Sequence, residues 1–124
     1  MTITSYSQNF EDIILWKIFK DIDHGFYIDI GAWSPIVDSV TNLFYNNGWN
    51  GINIEPNEEL FTQLEQKRQR DININCLISN KDIKSAEFNI VENSGMSTLS
   101  REYADTYKKS GLEVKKVAVK CHTL

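Results

Sequence analysis

The sequence predicts an α/β fold built around a parallel sheet. The apolar run Phe26–Ile30 ends directly at Gly31, and a second apolar run, Gly51–Ile54, follows a segment whose apolar residues have helical spacing. Strand, turn, helix and strand in this order form a βαβ unit, in which the two strands lie parallel. We therefore expect a parallel sheet around this unit.

Length and composition narrow the class of protein. A chain of 124 residues fits one domain. The net charge is −4, from 13 basic and 17 acidic residues that form no long run of either sign, which argues against a dedicated surface for nucleic acid or anionic membranes. No apolar run approaches a membrane span, and the first ten residues lack the basic and apolar parts of a signal peptide. We therefore expect a cytoplasmic protein whose partners are small molecules or other proteins.

The first element in the chain is an amphipathic helix predicted over Phe10–Lys20. Ser7 or Asn9 is expected to be its N-cap. Its apolar stripe, which we expect to pack on the sheet, consists of Phe10, Ile13, Ile14, Leu15, Ile18 and Phe19.

The strand Phe26–Ile30 comes next, and its polar side holds Tyr27 and Asp29 rather than solvated charges. This composition indicates a strand covered on both faces, in which Asp29 is a buried carboxylate that needs a hydrogen-bond partner. Two roles are open for Asp29. It caps the backbone N–H groups of the neighbouring turn, or it contacts a bound cofactor.

The later elements follow from apolar periodicity, capping residues and turn residues. In order they are a helix from Asp38 or Ser39 to Gly48, the strand Gly51–Ile54, a helix from Pro56 or Asn57 to Arg70, a strand Ile72–Ile78, a strand Ala86–Val91, a polar loop 92–100, a helix Arg101–Lys109 and a strand within Glu113–Leu124. The last strand alternates apolar and lysine-rich positions, which predicts one wetter face, as at a sheet edge.

A ligand site is predicted at the ends of the first two strands. Gly31 permits a turn and a close ligand approach, and Ala32 keeps the turn small. Glu55 follows the second strand, 24 residues beyond Gly31, near the distance at which nucleoside-binding α/β folds place the acid that binds ribose hydroxyls. Trp33 and Ile36 occupy the later glycine positions of the dinucleotide fingerprint, which disfavours a diphosphate. We expect an adenosine-containing cofactor with one nucleoside.

Cysteine and histidine add little to this site. Cys76 and Cys121 lie in apolar runs without a metal-binding spacing, so we expect buried thiols rather than a disulfide or a metal site. His24 and His122 are isolated from each other, and we assign neither a chemical role.

Four motifs in order along the chain resemble the FkbM family of S-adenosylmethionine-dependent methyltransferases. They are SYSQNFEDIIL, GFYIDIGAWSPIVDS, LFYNNGWNGINIEPN and GMSTL. The resemblance implies a Rossmann-like, doubly wound methyltransferase sheet, S-adenosylmethionine as cofactor and methyl transfer to a hydroxyl oxygen, with a small molecule or glycan as acceptor. It places Asp29, Gly31 and Ala32 in the cofactor loop and makes Glu55 the ribose-binding acid. Glu11 and Gln8 fall in the amino-terminal motif, where they either cap locally or lie near the site.

The resemblance also implies an incomplete sheet. Members of the family continue beyond the strand equivalent to Val117–Cys121 into a strand that pairs with the one at Phe26–Ile30. We therefore expect residues 1–124 to form a single partial methyltransferase domain, with an amino-terminal helix in 1–25, a cofactor-binding βαβαβ unit in 26–79, and a hairpin, loop and edge strand in 80–124. The open edge at Phe26–Ile30 is then available to another chain, for instance in a homo-oligomer.

Several functional questions stay open at this level. No residue is named as the general base, since Asp29 and Glu55 are assigned to the cofactor. The loop 92–100 is either a lid over an acceptor site or a plain surface loop. Two alternatives to a methyltransferase are a nicotinamide-dependent oxidoreductase, which the missing glycines disfavour, and a non-catalytic Rossmann-like fragment that binds a partner or forms oligomers.

Overall fold

The computed structural model describes residues 2–124 and divides the chain into two compact units, one up to Ile74 and one from Asn75 to Leu124. The first unit contains a three-stranded sheet with three helices, and the second contains a three-stranded sheet with one helix. The predicted mixed α/β class is confirmed.

The first unit contains the predicted βαβ arrangement, extended by a second helix and a third strand. Its elements are α1 (Glu11–Phe19), β1 (Phe26–Ile30), α2 (Asn42–Asn46), β2 (Asn50–Ile54), α3 (Glu58–Lys67) and β3 (Ile72–Ile74). The sheet order is β1-β2-β3 and both pairings are parallel, with Asp29 opposite Asn53 and Asn53 opposite Asn73. The carboxyl ends of β1 and β2 therefore meet at one end of the sheet, where Gly31 and Glu55 follow.

Strand β1 lies at the edge of this sheet, so the side away from β2 is unpaired within the unit. Its apolar side chains Phe26, Ile28 and Ile30 are 56%, 54% and 51% exposed. The expectation that both faces of β1 are covered is therefore wrong. Tyr27 and Asp29 point to the more buried face, where hydrogen bonds compensate their polarity.

Helix α1 differs from its prediction at the N-cap and on its apolar stripe. Phe10 takes the N-cap position with a left-handed φ of 63° and no side-chain cap. Ser7 lies three residues before this N-cap; its hydroxyl donates to the Asp12 carboxylate and accepts the Asp12 N–H, whereas Asn9 donates to Glu11. Phe10, Ile14 and Ile18 are exposed, so the stripe they form does not pack on the sheet.

The opposite side of α1 makes the tertiary contact. Trp16 packs edge to face on Phe44, with ring centroids 5.5 Å apart, and Phe44 packs in turn on the buried Trp49 at 4.9 Å. This aromatic cluster joins α1, α2 and the start of β2.

Helix α2 is shorter than predicted and begins at Asn42 rather than after Asp38 or Ser39. The chain forms a turn first, because the Ser34 hydroxyl accepts the N–H groups of Ile36 and Val37. Gly48 has φ +90° and ends the helix as predicted. Helix α3 was predicted to start at Pro56 or Asn57, and Asn57 is its N-cap, whose side chain accepts the N–H of Glu59. The helix ends at Lys67 instead of Arg70.

The second unit contains β4 (Leu77–Ile78), β5 (Ser85–Val91), α4 (Arg101–Lys109) and β6 (Val114–His122). The sheet order is β4-β6-β5, with β4 parallel and β5 antiparallel to β6. Two predictions are wrong here. The run 72–78 is not one strand, since β3 and β4 belong to different sheets, and the last strand is central in its sheet rather than at an edge.

Other predictions for the second unit are confirmed. Helix α4 has the predicted bounds, and β5 begins one residue earlier than predicted. Cys76 and Cys121 are buried free thiols, and burial raises the pKa of Cys76. The loop 92–100 folds back onto β5, where Asn89 and Thr98 exchange both backbone hydrogen bonds and Ser97 accepts the Val91 N–H. Among residues 2–124, no helix has the length and apolarity needed to cross a membrane.

Candidate functional site

The glycine turn after β1 is closed onto the end of β2. The N–H groups of Gly31 and Ala32 both donate to the carbonyl of Ile54, at 2.8 and 3.1 Å. Gly31 has φ +74°, a conformation that favours glycine, and a Cβ added there would meet no atom within 4 Å. The turn therefore requires glycine for its backbone, and its outer side leaves room for a ligand to approach the main chain.

Glu55 follows β2 and ties this turn to the next helix. Its carboxylate accepts the N–H of Trp33 through Oε2 and the N–H of Asn57 through Oε1, both at 2.8 Å. The residue is only 5% exposed. Burial raises the pKa of the Glu55 carboxyl, the N–H groups of Asn57 and Trp33 lower it, and the nearby charge of Asp29 raises it further. The net direction is upward, and the two backbone bonds fix the orientation of the carboxylate.

Asp29 lies one residue before the end of β1, on the same face as Asn53 of β2. The Thr41 hydroxyl donates to its Oδ2 at 2.7 Å. One of the two roles left open for Asp29 was to cap the N–H groups of the neighbouring turn. The donor in this hydrogen bond is instead the side chain of Thr41, just before α2. Burial raises the pKa of Asp29, while the Thr41 bond and the charge of Arg68 partly oppose the rise.

The structure therefore brings together the four residues that the sequence predicted for the site. The N–H groups of Gly31 and Ala32 are hydrogen-bonded to Ile54, which precedes Glu55. The Glu55 carboxylate is hydrogen-bonded to Trp33, which follows Ala32, and the charge of Asp29 is near enough to raise the pKa of Glu55. All four lie at the carboxyl ends of β1 and β2 in the first unit. Whether they hold a cofactor stays a prediction.

Sequence reasoning missed a buried polar network behind this site. Arg68 is 1% exposed, and its Nη1 lies 3.3 Å from Asp71 Oδ2. Asp71 also accepts the Tyr27 hydroxyl at 2.6 Å, the Gly51 N–H at 2.8 Å and the Asn53 amide at 2.9 Å. Burial raises the pKa of Tyr27, and the hydrogen bond to Asp71 raises it further, so the phenol keeps its proton.

A signal for this network does exist in the sequence. Tyr27, Asp29, Asn53 and Asn73 all point to one face of a predicted buried sheet. A buried polar face needs charged or amide partners, and the charged segment 67–71 just before β3 could supply them, although its sequence does not distinguish Arg68 from Lys67 or Arg70.

The amino-terminal motif also has a structural explanation. Asp12 is fully buried and accepts hydrogen bonds from the Ser5 and Ser7 hydroxyls and from the Tyr6 N–H. Burial acts to raise the pKa of Asp12, but these bonds outweigh it and the pKa is lowered. Glu11 accepts both the N–H and the side-chain amide of Asn9, so its role is local capping.

The first unit thus has a parallel βαβαβ arrangement, with a glycine turn after its first strand and an acid after its second. The family model described as the methyltransferase FkbM domain matches residues 29–124, which include all four candidate residues. The chain belongs to the FkbM family of methyltransferases, as its motifs indicated, and methyl transfer is its class of activity. No curated protein and no solved structure matches it.

Proposed function

We propose that this chain binds S-adenosylmethionine at the carboxyl ends of β1 and β2 and serves methyl transfer to a hydroxyl oxygen of a small molecule or glycan. The observation that carries the proposal is the Glu55 carboxylate, held by backbone N–H groups directly beside the Gly31 turn. Ribose hydroxyls donate hydrogen bonds, and a carboxylate with a fixed orientation is the acceptor that nucleoside-binding folds use at this position.

The backbone of the loop supports a cofactor without a diphosphate. Dinucleotide sites bind phosphate with backbone N–H groups at the start of a helix that follows the glycine turn. Here the N–H groups of Gly31 and Ala32 donate to Ile54, and that of Trp33 donates to Glu55. Helix α2 begins only at Asn42. The donors that a diphosphate needs are engaged within the protein, whereas a nucleoside with a sulfonium tail does not require them.

In the proposed function, the residues of this chain bind the cofactor and orient it. Glu55 accepts the ribose hydroxyls, Gly31 and Ala32 let the cofactor approach the main chain, and Asp29, held by Thr41, faces the same end of the sheet. When bound, S-adenosylmethionine would supply an electrophilic methyl group on a positively charged sulfur, and S-adenosylhomocysteine, the methylated acceptor and a proton released to solvent would be the products. Correct alignment of acceptor and methyl group supplies much of the rate enhancement in such reactions. No residue of the chain is proposed as the general base.

The open edge of β1 favours a second candidate function, a non-catalytic module that binds a partner chain. A groove of about 440 Å³ runs beside this edge, lined by Leu15, Phe19, Ile22, Gly25, Phe26, Tyr27, Ile28, Thr41, Phe44 and Trp49. An unpaired strand beside an apolar groove suits a strand from another polypeptide. The same edge also supports the interpretation that the chain carries the cofactor-binding part of a larger methyltransferase sheet.

Calorimetric titration separates these functions. We expect wild-type protein to bind S-adenosylhomocysteine and not NAD, and we expect Glu55→Gln to lose affinity by about tenfold or more, as for loss of a hydrogen bond to a charged group. Glu59→Gln, at an exposed position in the first turn of α3, is the matched control and should bind like wild type. Binding of NAD would favour an oxidoreductase. Binding of neither ligand, together with a defined oligomer on a sizing column, would favour the partner-binding module.

A further inference from the structure

We propose that Arg68 is a positioning residue for the cofactor site, which it orders by holding the segment 35–41 in place. The inference rests on the proposed function and deepens it. It starts from the guanidinium group, whose five N–H donors are matched by five hydrogen bonds.

Three of these bonds reach the segment that leads from the glycine turn into α2. Nε and Nη2 of Arg68 donate to the carbonyl of Pro35 at 3.0 and 2.9 Å, and Nη2 also donates to the Ser39 hydroxyl at 3.0 Å. Pro35 and Ser39 are both buried. The planar guanidinium therefore fixes two points of one segment at once, which an ammonium group with a single nitrogen cannot do.

The other two bonds anchor the guanidinium to the sheet. Nη1 donates to the Tyr27 hydroxyl at 3.0 Å and to Asp71 Oδ2 at 3.3 Å. Asp71 in turn accepts the N–H of Gly51 in β2. A buried charge is costly unless it is paired and fully hydrogen-bonded, and Arg68 meets both conditions. The segment is thus fastened to the same strands that carry the site.

The held segment reaches the site through Thr41. The Ser39 hydroxyl, which Arg68 fixes, accepts the N–H of Asn42 at the start of α2. Thr41 lies between these two residues, and its hydroxyl donates to Asp29. A shift of the segment would therefore move the donor that orients the Asp29 carboxylate. Arg68 does not act on a ligand directly; it acts through Ser39, Thr41 and Asp29.

The test compares Arg68→Lys with Arg70→Lys in the 124-residue chain. Arg70 is the matched control because it is exposed and its guanidinium lies over the Tyr45 ring, 3.9 Å from the ring centroid. Among the described residues, it forms no hydrogen bond with Pro35 or Ser39. The dissociation constant of S-adenosylhomocysteine is measured by calorimetry at a temperature at which circular dichroism shows each variant folded. We expect Arg68→Lys to weaken binding by about tenfold or more and Arg70→Lys to change it by less than about twofold.

Two further measurements separate positioning from plain stabilisation. The amides of residues 36–41 should exchange hydrogen faster in Arg68→Lys than in Arg70→Lys. The affinity losses of Arg68→Lys and Thr41→Val should be less than additive in the double variant, because both act through Asp29. If Arg68→Lys does not fold, Ser39→Ala removes the hydroxyl that joins Arg68 to the N–H of Asn42, and it should still weaken binding.

The outcomes are distinct. A folded Arg68→Lys, or in its place Ser39→Ala, that binds like wild type overturns this inference and leaves the proposed function intact. An equal loss in Arg70→Lys overturns it as well, since the effect is then not specific to the Pro35 and Ser39 contacts. Wild-type protein that binds no S-adenosylhomocysteine overturns the proposed function, and this inference with it.

Discussion

The two carboxylates of the candidate site are held in different ways. Glu55 accepts two backbone N–H groups and so behaves as part of the turn, whereas Asp29 depends on the Thr41 hydroxyl. Side-chain donors can be removed by mutation more cleanly than backbone donors. Asp29 is therefore the better position at which to test the electrostatics of the site.

Asp29 should give the protein an unusual pH dependence. Because burial raises its pKa, the folded state binds the proton more tightly than the unfolded chain does. Its contribution to stability is then fully present below the ordinary carboxyl pKa of about 4 and is lost as the pH rises through the folded-state pKa. We expect the free energy of unfolding of Asp29→Asn, relative to wild type, to increase as the pH rises from about 4.

Urea unfolding at several pH values measures this difference. Tryptophan fluorescence reports on the first unit, since Trp16, Trp33 and Trp49 all lie in it. Asp12 is present in both proteins, so its own pH dependence cancels. Asp29→Asn also removes one cause of the raised pKa of Glu55, which changes the difference in the same direction. Asp38→Asn, at an exposed left-handed position that Asn tolerates, is the control and should follow the wild-type profile. Parallel profiles for Asp29→Asn and wild type would contradict the assignment.

Single residues also show how far the sequence could predict the site. Gly31 and Glu55 were recognisable because their roles depend on position relative to strands, which apolar runs reveal. Arg68 was not, because it lies between Lys67 and Arg70 in a segment that looks like a solvated helix end. Only the tertiary fold places its side chain under Pro35 while its neighbours stay exposed.

At the scale of elements, the pairing of β1 with β2 depends on the absence of a side chain at Gly51. A Cβ built there would lie 2.2 Å from the carbonyl oxygen of Tyr27 and 2.3 Å from its ring. The carbonyl belongs to the backbone and cannot rotate away, and the Tyr27 ring must stay in place for its hydroxyl to reach Asp71. The close approach of these two strands therefore requires glycine at position 51.

We therefore expect Gly51→Ala to destabilise the first unit by about 1–3 kcal/mol or more, the range for inserting atoms into a packed interior. Urea unfolding followed by tryptophan fluorescence measures the change. Gly95→Ala is the control, because an added Cβ at Gly95 meets no atom within 4 Å. Its free energy of unfolding, measured by urea unfolding followed by circular dichroism, should change by less than about 0.5 kcal/mol. A Gly51→Ala variant as stable as wild type would show that β1 and β2 can separate without cost.

The prediction of strands was wrong where strand pairing, and not the periodicity of apolar residues, determines the structure. The run Ile72–Ile78 alternates Ile with Asn and then reaches Cys76, so it looks like one strand, yet β3 pairs with β2 and β4 pairs with β6. Nothing local marks the change of partner. The last strand was placed at an edge because its lysines are solvated. One wet face does not require an edge, however, since β6 exposes Lys116 and Lys120 while pairing on both sides.

At the scale of the whole molecule, family membership fixes the class of activity, and the sheet of the first unit has β1 at its edge. The free edge of β1 follows from the order β1-β2-β3, as the family resemblance implied. Its exposed Phe26, Ile28 and Ile30 give that edge an apolar face. Natural sheets protect such edges with charged residues or bulges, and β1 has neither on this face.

We expect this edge to make the chain associate with itself. The apparent mass on a sizing column should rise with concentration above the 14.3 kDa of one chain. Ile28→Lys places a charge at the centre of the edge and removes an apolar side chain worth about 1.5–3 kcal/mol when buried, so self-association should require a concentration higher by about tenfold or more. Ile83→Lys, at a 40% exposed position in the second unit outside the strands, should leave the elution unchanged. An equal response to both substitutions would point to general surface apolarity, and a wild-type chain that stays monomeric at every concentration would show that the edge of β1 does not pair with a second copy.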